Sequence, residues 1–232
     1  MGKGIFITGT DTGVGKTYVA VGLIRALREQ GVSVCPMKPV ETGCRVKNGE
    51  LIAQDTRRLV SAAAVKESMG LVNPFRMRSP LAPSVASEIE GISIDKKRII
   101  SSYARIRGKY GFTVVEGAGG IMVPVRGKYL FLHLIRELNI PIVIVARPGL
   151  GTINHTLLTI GSALHENLNV LGVVINYAVK KRKGHPEKTN PPVIEKLGGV
   201  PIVGTVPYLK NSSSVRGKKI FSEIMANIVS RL

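Results

Sequence analysis

The sequence predicts an α/β fold: a mostly parallel central β-sheet with helices on both faces. Apolar, β-prone runs alternate with amphipathic stretches along the 232 residues. Most of those runs are apolar without a break, as in strands buried on both faces of a parallel sheet. The first run ends in a glycine-rich turn that feeds directly into a helical pattern, the signature of a strand, a tight turn and a helix in succession.

The first strand is expected at 4–8. It leads into Gly9-Thr10-Asp11-Thr12-Gly13-Val14-Gly15-Lys16-Thr17. The strict phosphate-loop pattern G-x-x-x-x-G-K-[ST] needs glycine at position 10, where Thr10 stands, so this loop is one residue longer. Gly-Lys-Thr between a strand and a helix still supports a P-loop NTPase type of sheet. Successive N–H groups from Thr12 to Lys16 form a nest for phosphate, backed by the helix N-terminus. Lys16 is placed to reach the β- and γ-phosphates, and the Thr17 hydroxyl to ligate Mg²⁺. The helix is expected at 17–30. Val19, Leu23, Ile24 and Leu27 form its apolar stripe, Arg25, Arg28 and Glu29 face water, and Gly31 suits its end.

Further strands are expected at 32–36, 112–116, 141–146, 170–176 and 200–206. Helices are expected at 56–64, 84–88, 94–109, 130–138, 153–167, 192–197 and 220–231. No repeat or long linker divides the chain, so one α/β domain over 1–232 is expected, with ligand at the C-terminal strand ends. Segment 71–86, with Pro74, Pro80 and Pro83, is the best candidate for a functional loop.

Composition narrows the function. Hydrophobic content of 44% and a mean hydropathy of +0.17 suit a chain with a sizeable core. No apolar run approaches the ~18 residues of a membrane helix, and the polar stretch from Thr8 to Gly13 breaks any signal-peptide core. Cys35 and Cys44 make neither a disulfide framework nor a zinc set, so a cytoplasmic location and no membrane partner are expected. Thirty-three Lys and Arg against fifteen Asp and Glu give a net charge of +18. The densest run, Lys180-Lys181-Arg182-Lys183 followed by Gly184, His185, Pro186 and Lys188, reads as a solvated loop after a strand. With 5% aromatics and no Trp, no specific nucleic-acid partner is expected.

Four candidate sites fall at strand ends. Lys38, in Met37-Lys38-Pro39-Val40, would stand beside the phosphate loop and neutralise a transferring phosphoryl group. Asp55 opens a helix, where it is either an N-cap or a Mg²⁺ ligand. Glu116, before Gly117-Ala118-Gly119-Gly120, is a strand-end carboxylate suited to Mg²⁺, with small residues that admit a ligand to the backbone. Gly149-Leu150-Gly151-Thr152-Ile153-Asn154-His155 is a glycine-bearing turn into a helix. His155 there is read first as a locally bonded helix-start residue and second as a base.

These motifs, with Val72-Asn73-Pro74 and Gly204-Thr205-Val206-Pro207, make the chain resemble the dethiobiotin synthetase family nearly end to end. The longer phosphate loop is that family's form. The resemblance implies an ATP- and Mg²⁺-dependent cyclo-ligase that joins 7,8-diaminopelargonic acid and CO₂ through a carbamate and a carbamic–phosphoric anhydride. It implies that Lys16 and Lys38 are catalytic and that Thr17, Asp55 and Glu116 hold Mg²⁺. Nucleotide is expected against Thr12, Gly13, Val14, Gly15, Lys16 and Thr17, and against Glu116, Gly117, Ala118 and Gly119. Asn176 would read adenine, covered by Pro207, Tyr208 and Leu209. Thr42 would touch substrate beside Lys38, and Gly151 and Asn154 would reach it from the other subunit of a homodimer. Tyr177 stands where members often carry an acid, and 211–215 matches the family poorly. Two other readings share the architecture: an amidoligase of the cobyrinic acid diamide synthase type, and a DNA-partitioning or septum-positioning ATPase. The first usually carries a glutaminase domain. The second typically has an extra lysine early in its phosphate loop, where this chain has Thr10, Asp11 and Thr12.

Overall fold

A computed structural model describes residues 2–180 and 184–232, and Lys181, Arg182 and Lys183 of the basic run lie outside them. In chain order come β1 (Lys3–Gly9), α1 (Lys16–Glu29), β2 (Val34–Met37), β3 (Val40–Glu41), β4 (Arg45–Lys47), β5 (Glu50–Ile52) and α2 (Gln54–Ala63). Next are α3 (Met69–Val72), β6 (Phe75–Arg76), α4 (Pro83–Ile89), α5 (Lys96–Lys109) and β7 (Phe112–Gly120). Then follow β8 (Pro124–Arg126), β9 (Tyr129–Leu130), α6 (Phe131–Leu138), β10 (Ile142–Ala146) and α7 (Thr152–His165). The chain closes with β11 (Val170–Asn176), α8 (His185–Gly198), β12 (Ile202–Val206) and α9 (Val215–Val229).

Six strands form the main sheet in the order β12-β11-β10-β1-β7-β2, and each neighbouring pair is parallel. All six expected strands are present. Alternate residues of β1 face opposite layers. Ile5 and Ile7 join the cluster with Val19 and Leu23 of α1 and Phe221 and Ile224 of α9. Phe6 joins Ile106 of α5, Ile160 of α7 and Ile194 of α8, and its ring lies 6.2 Å from that of Phe131 of α6. Both faces are dry, which is why the strand sequences show no polar alternation.

Several expectations need correction. The strand expected to stop at Glu116 runs on to Gly120, with its register against β1 broken between Ile7 and Gly9. Small residues are needed there: a Cβ on Gly117 would lie 2.9 Å from the Phe6 ring. Arg25 does not simply face water, because it donates to the Ser212 and Ser213 hydroxyls at 2.9 and 2.7 Å. Segment 71–86, expected as a functional loop, is irregular only over part of its length, chiefly 77–82. β6 pairs with β3 through Val40–Phe75 and Glu41–Arg76, and α4 begins at Pro83. Helix α8 starts at His185, so His185, Pro186 and Lys188 belong to a helix and not to the expected loop, and Pro191 and Pro192 lie inside it. Prolines remove intrahelical donors, which made them look like a helix start. Helix α9 begins five residues before expectation because the Ser214 hydroxyl accepts from Gly217 N–H at 3.2 Å, a side-chain N-cap. No helix among the described residues is long and apolar enough to cross a membrane.

Candidate active site

The ends of β1, β2 and β7 open into a cleft of about 670 Å³. The phosphate loop forms one wall. Gly13 and Gly15 hold φ of 77° and 92°, a region that disfavours side chains. A Cβ on Gly15 would also sit 2.1 Å from Asn176 Nδ2. Thr12, Gly13, Gly15, Lys16 and Thr17 line the cleft. Lys16 is buried and its Nζ donates to Asp11 O at 3.1 Å. Burial, then the charge of Lys38, lowers its pKa to about 8, against the pull of Glu116, Asp11 and Asp55.

Glu116 organises the floor. It is 1% exposed. Thr17 Oγ1 and Lys38 Nζ both donate to its Oε1, each at 2.7 Å. Its Oε2 is buried without a hydrogen-bond partner. Asp55 Oδ2 lies 3.6 Å from Lys38 Nζ. Burial alone would lower the Lys38 pKa, but Glu116 and then Asp55 outweigh it and hold the ammonium above the ordinary lysine value. Lys38 leaves the end of β2 with its backbone clamped on both sides. Its N–H donates to Val72 O at 2.8 Å, and Asn73 Nδ2 donates to Lys38 O at 2.6 Å. This gives the Val72-Asn73-Pro74 motif a physical role.

Asp55 is not the N-cap of α2; Ala53 occupies that position and offers no side-chain acceptor. The carboxylate of Glu41, from β3, takes over. Its Oε1 accepts from Asp55 N–H at 2.9 Å, and its Oε2 accepts from Thr56 N–H at 2.9 Å and Thr56 Oγ1 at 2.6 Å. Glu41 escaped the sequence reading, since only the fold brings 41 to 55. Thr42, Gly117, Ala118 and Gly119 line the same cleft, as do Pro80 and Pro83 of segment 71–86 and Tyr18, which the sequence does not single out.

A second cavity, of about 410 Å³, shares Thr12 and Gly13 with the first and adds Val14, Arg147 and Asn176. Asn176 Nδ2 donates to Val14 O at 2.8 Å, and its Oδ1 is buried without a hydrogen-bond partner. Tyr177 is buried beside it, its phenol pKa raised by burial and then by the charge of Glu187. Pro207, Tyr208 and Leu209 follow β12 and line neither cavity; Leu209 O accepts from Tyr18 OH at 3.4 Å. Gly151 and Asn154 open α7 and do not reach the cleft within this chain. His155 lines a separate pocket of about 310 Å³ with Asp11 and Met122.

The cleft can hold a hard divalent cation. Thr17 Oγ1, Asp55 and the unpartnered Glu116 Oε2 are oxygen donors. Magnesium typically takes one or two carboxylates and fills its shell with water and phosphate oxygens. Among the described residues no group of three or more His, Cys, Asp or Glu gathers for a metal, so any cation here draws on such outside ligands. Asn176 Oδ1 is a matching acceptor for an exocyclic amine.

A family model described as an AAA domain matches residues 3–216. The chain is 41% identical over 216 residues to the ATP-dependent dethiobiotin synthetase of Thermodesulfovibrio yellowstonii, covering 90% of both chains. It is 42% identical over 209 residues to that of Bacillus subtilis strain 168, covering 90% of this chain and 89% of the other. The fold is also like that of the septum site-determining protein MinD of Pyrococcus horikoshii, with TM-score 0.59 and 17% identity over 98% of this chain and 96% of the other. A pNOB8 ParA structure bound to nonspecific DNA gives TM-score 0.63 at 13% identity, over 100% of this chain and 98% of that one. At such identities these two similarities speak to the P-loop sheet alone. The phosphate loop, the strand-end lysine and glutamate, and the match over nine-tenths of its length to curated relatives agree: the chain belongs to the ATP-dependent dethiobiotin synthetase family.

Proposed function

We propose that this chain makes dethiobiotin from 7,8-diaminopelargonic acid, CO₂ and ATP, with Mg²⁺, as a cytoplasmic homodimer folded as one domain over 1–232. The observation that carries the reading is the buried Lys38 ammonium, 2.7 Å from Glu116 Oε1 and facing the same cleft as Lys16. A nucleotide switch has no need of a second cation at that place. A ligase does, because it must bring a carbamate oxygen to a γ-phosphate.

In this reading one amine of the diamine takes up CO₂ as a carbamate. The carbamate oxygen displaces ADP at the γ-phosphorus and forms the anhydride. The second amine then attacks the carbonyl carbon, closes the ring and releases phosphate. Lys16 and Lys38 spread the anionic charge at each stage, and the loop from Thr12 to Thr17 holds the phosphates. Thr17, Asp55 and Glu116 would hold Mg²⁺, which supplies charge neutralisation between phosphate oxygens when bound. No side-chain nucleophile is required, and positioning with charge stabilisation carries the chemistry. Asn176 Oδ1 would accept from the adenine amine, with Pro207, Tyr208 and Leu209 over the base. Thr42 would meet the diamine, with Gly151 and Asn154 of the other subunit completing its site.

The test compares what ATP turnover requires. Turnover that depends on diamine plus bicarbonate supports the reading. Turnover indifferent to both, and raised by DNA or lipid vesicles, supports a partitioning-type ATPase instead.

A further inference from the structure

We infer that Glu41 is a positioning residue that sets the acidic side of the cleft by acting through Asp55. The first turn of α2 lacks a local cap, since Ala53 stands at the N-cap. Helix N-termini present unpaired N–H donors and partial positive charge, so a carboxylate there both bonds and stabilises. Here that carboxylate comes from fourteen residues away. Glu41 is 5% exposed, and each of its oxygens accepts from the turn: Oε1 from Asp55 N–H, Oε2 from Thr56 N–H and Thr56 Oγ1.

The tether joins two parts of the site. Glu41 lies on β3, three residues beyond Lys38, and Lys38 Nζ lies 3.6 Å from Asp55 Oδ2. The strand carrying Lys38 onward is therefore bolted to the helix carrying Asp55, with Lys38 facing both Asp55 and Glu116. A locally capped helix would form as well, but it would not be fixed to β3. The backbone N–H of Asp55 is itself one of the bonded donors, so losing the tether moves Asp55 first.

The assignment of Asp55 to metal rests on the proposed reaction; the tether and the Lys38–Asp55 ion pair do not. The experiment uses the full chain with Glu41→Gln, Asp55→Asn and the double variant. Hydrogen exchange at 54–59 reads the tether without substrate, and thermal unfolding confirms that each variant is folded. Expected is exchange at the first turn of α2 at least tenfold faster in Glu41→Gln. The Mg²⁺ concentration needed for half-maximal binding of a non-hydrolysable ATP analogue should rise about tenfold, the usual scale for one charge-assisted hydrogen bond. In the Asp55→Asn background, adding Glu41→Gln should shift that concentration less than twofold. Adding Ala53→Ser to Glu41→Gln should slow the exchange again but leave the Mg²⁺ requirement high. Equal shifts with and without Asp55, unchanged exchange, or a Mg²⁺ requirement restored by Ala53→Ser would each overturn the inference. If Glu41→Gln does not fold, Glu41→Asp is read in its place with the same criteria. A wild-type protein that forms no dethiobiotin would remove the proposed reaction and leave the exchange and binding results to decide the tether.

Discussion

Lys38 Nζ and Thr17 Oγ1 meet at one oxygen, Glu116 Oε1, each 2.7 Å away. The cation from β2 and the hydroxyl of the phosphate loop are thus held by the same buried carboxylate at the end of β7. The other oxygen of that carboxylate points to no protein donor. Structure and charge balance are coupled at this point, so changes here should separate folding, binding and chemistry.

Lys38→Gln should suppress dethiobiotin formation far more than ATP binding. Two unit charges ~4 Å apart repel by about 4 kcal/mol at an effective dielectric of ~20, and in the proposed reaction Lys38 would offset that repulsion between carbamate and phosphate. The substitution also leaves Glu116 buried beside a neutral group, which typically costs about 3 kcal/mol or more. Melting should fall by roughly 6–12 °C. Nucleotide affinity, single-turnover product formation and thermal unfolding give the three readings. Equal losses in binding and product would make Lys38 part of the nucleotide site only.

Lys16→Ala should show the opposite balance. One preorganised charge contact in a transition state is commonly worth about 3 kcal/mol, so turnover should drop ~100-fold or more. Stability of the nucleotide-free protein, measured in EDTA at pH 7, should not fall. The Lys16 pKa is lowered to about 8 in the folded chain from 10.5. The unfolded state binds more protons between those values, so the burden of the buried charge is fully present below pH 8 and fades toward pH 10.5. Relative to the variant, the wild type should gain stability as pH rises through that window. A variant that melts well below wild type at pH 7 would contradict this.

Much of the cleft was legible in the sequence because its groups sit at strand ends with local signatures. Lys16 and Thr17 close the glycine loop, Lys38 follows β2, and Glu116 ends a mostly apolar, buried run before small residues. What escaped was non-local. Glu41 caps α2 across the fold, Asn73 clamps Lys38 from β6's approach, and Arg25 of α1 holds Ser212 and Ser213. Strands β3 and β6, of two residues each, are too short to show a period. The extension of β7 through its glycines was hidden because glycine ordinarily marks a turn.

Glu116→Gln should raise the Mg²⁺ needed for half-maximal activity, because an amide keeps the shape but loses the charge that a hard cation prefers. It also weakens the hold on Lys38, so kcat should fall as well. A Mg²⁺ titration of steady-state rate separates the effects. An unchanged Mg²⁺ requirement would place the metal elsewhere.

The two cysteines should be silent in the native protein. Cys35 is 0% and Cys44 3% exposed. Burial, with Glu67 near Cys35 and Glu41 near Cys44, raises their pKa to about 12 and about 11. The thiolate is the reactive form, so an aromatic disulfide reagent at pH 8 should find no thiol until the chain is unfolded, then two. Rapid reaction in the folded state would show that this core opens.

The most direct measurement incubates the protein with diaminopelargonate, ATP, Mg²⁺ and isotopically labelled bicarbonate, and counts label in the ring carbonyl against ADP formed. Expected is labelled dethiobiotin with one ADP and one phosphate per ring closed, and almost no ADP without the diamine. Steady ADP release with no labelled ring, unaffected by diamine or bicarbonate, would contradict it.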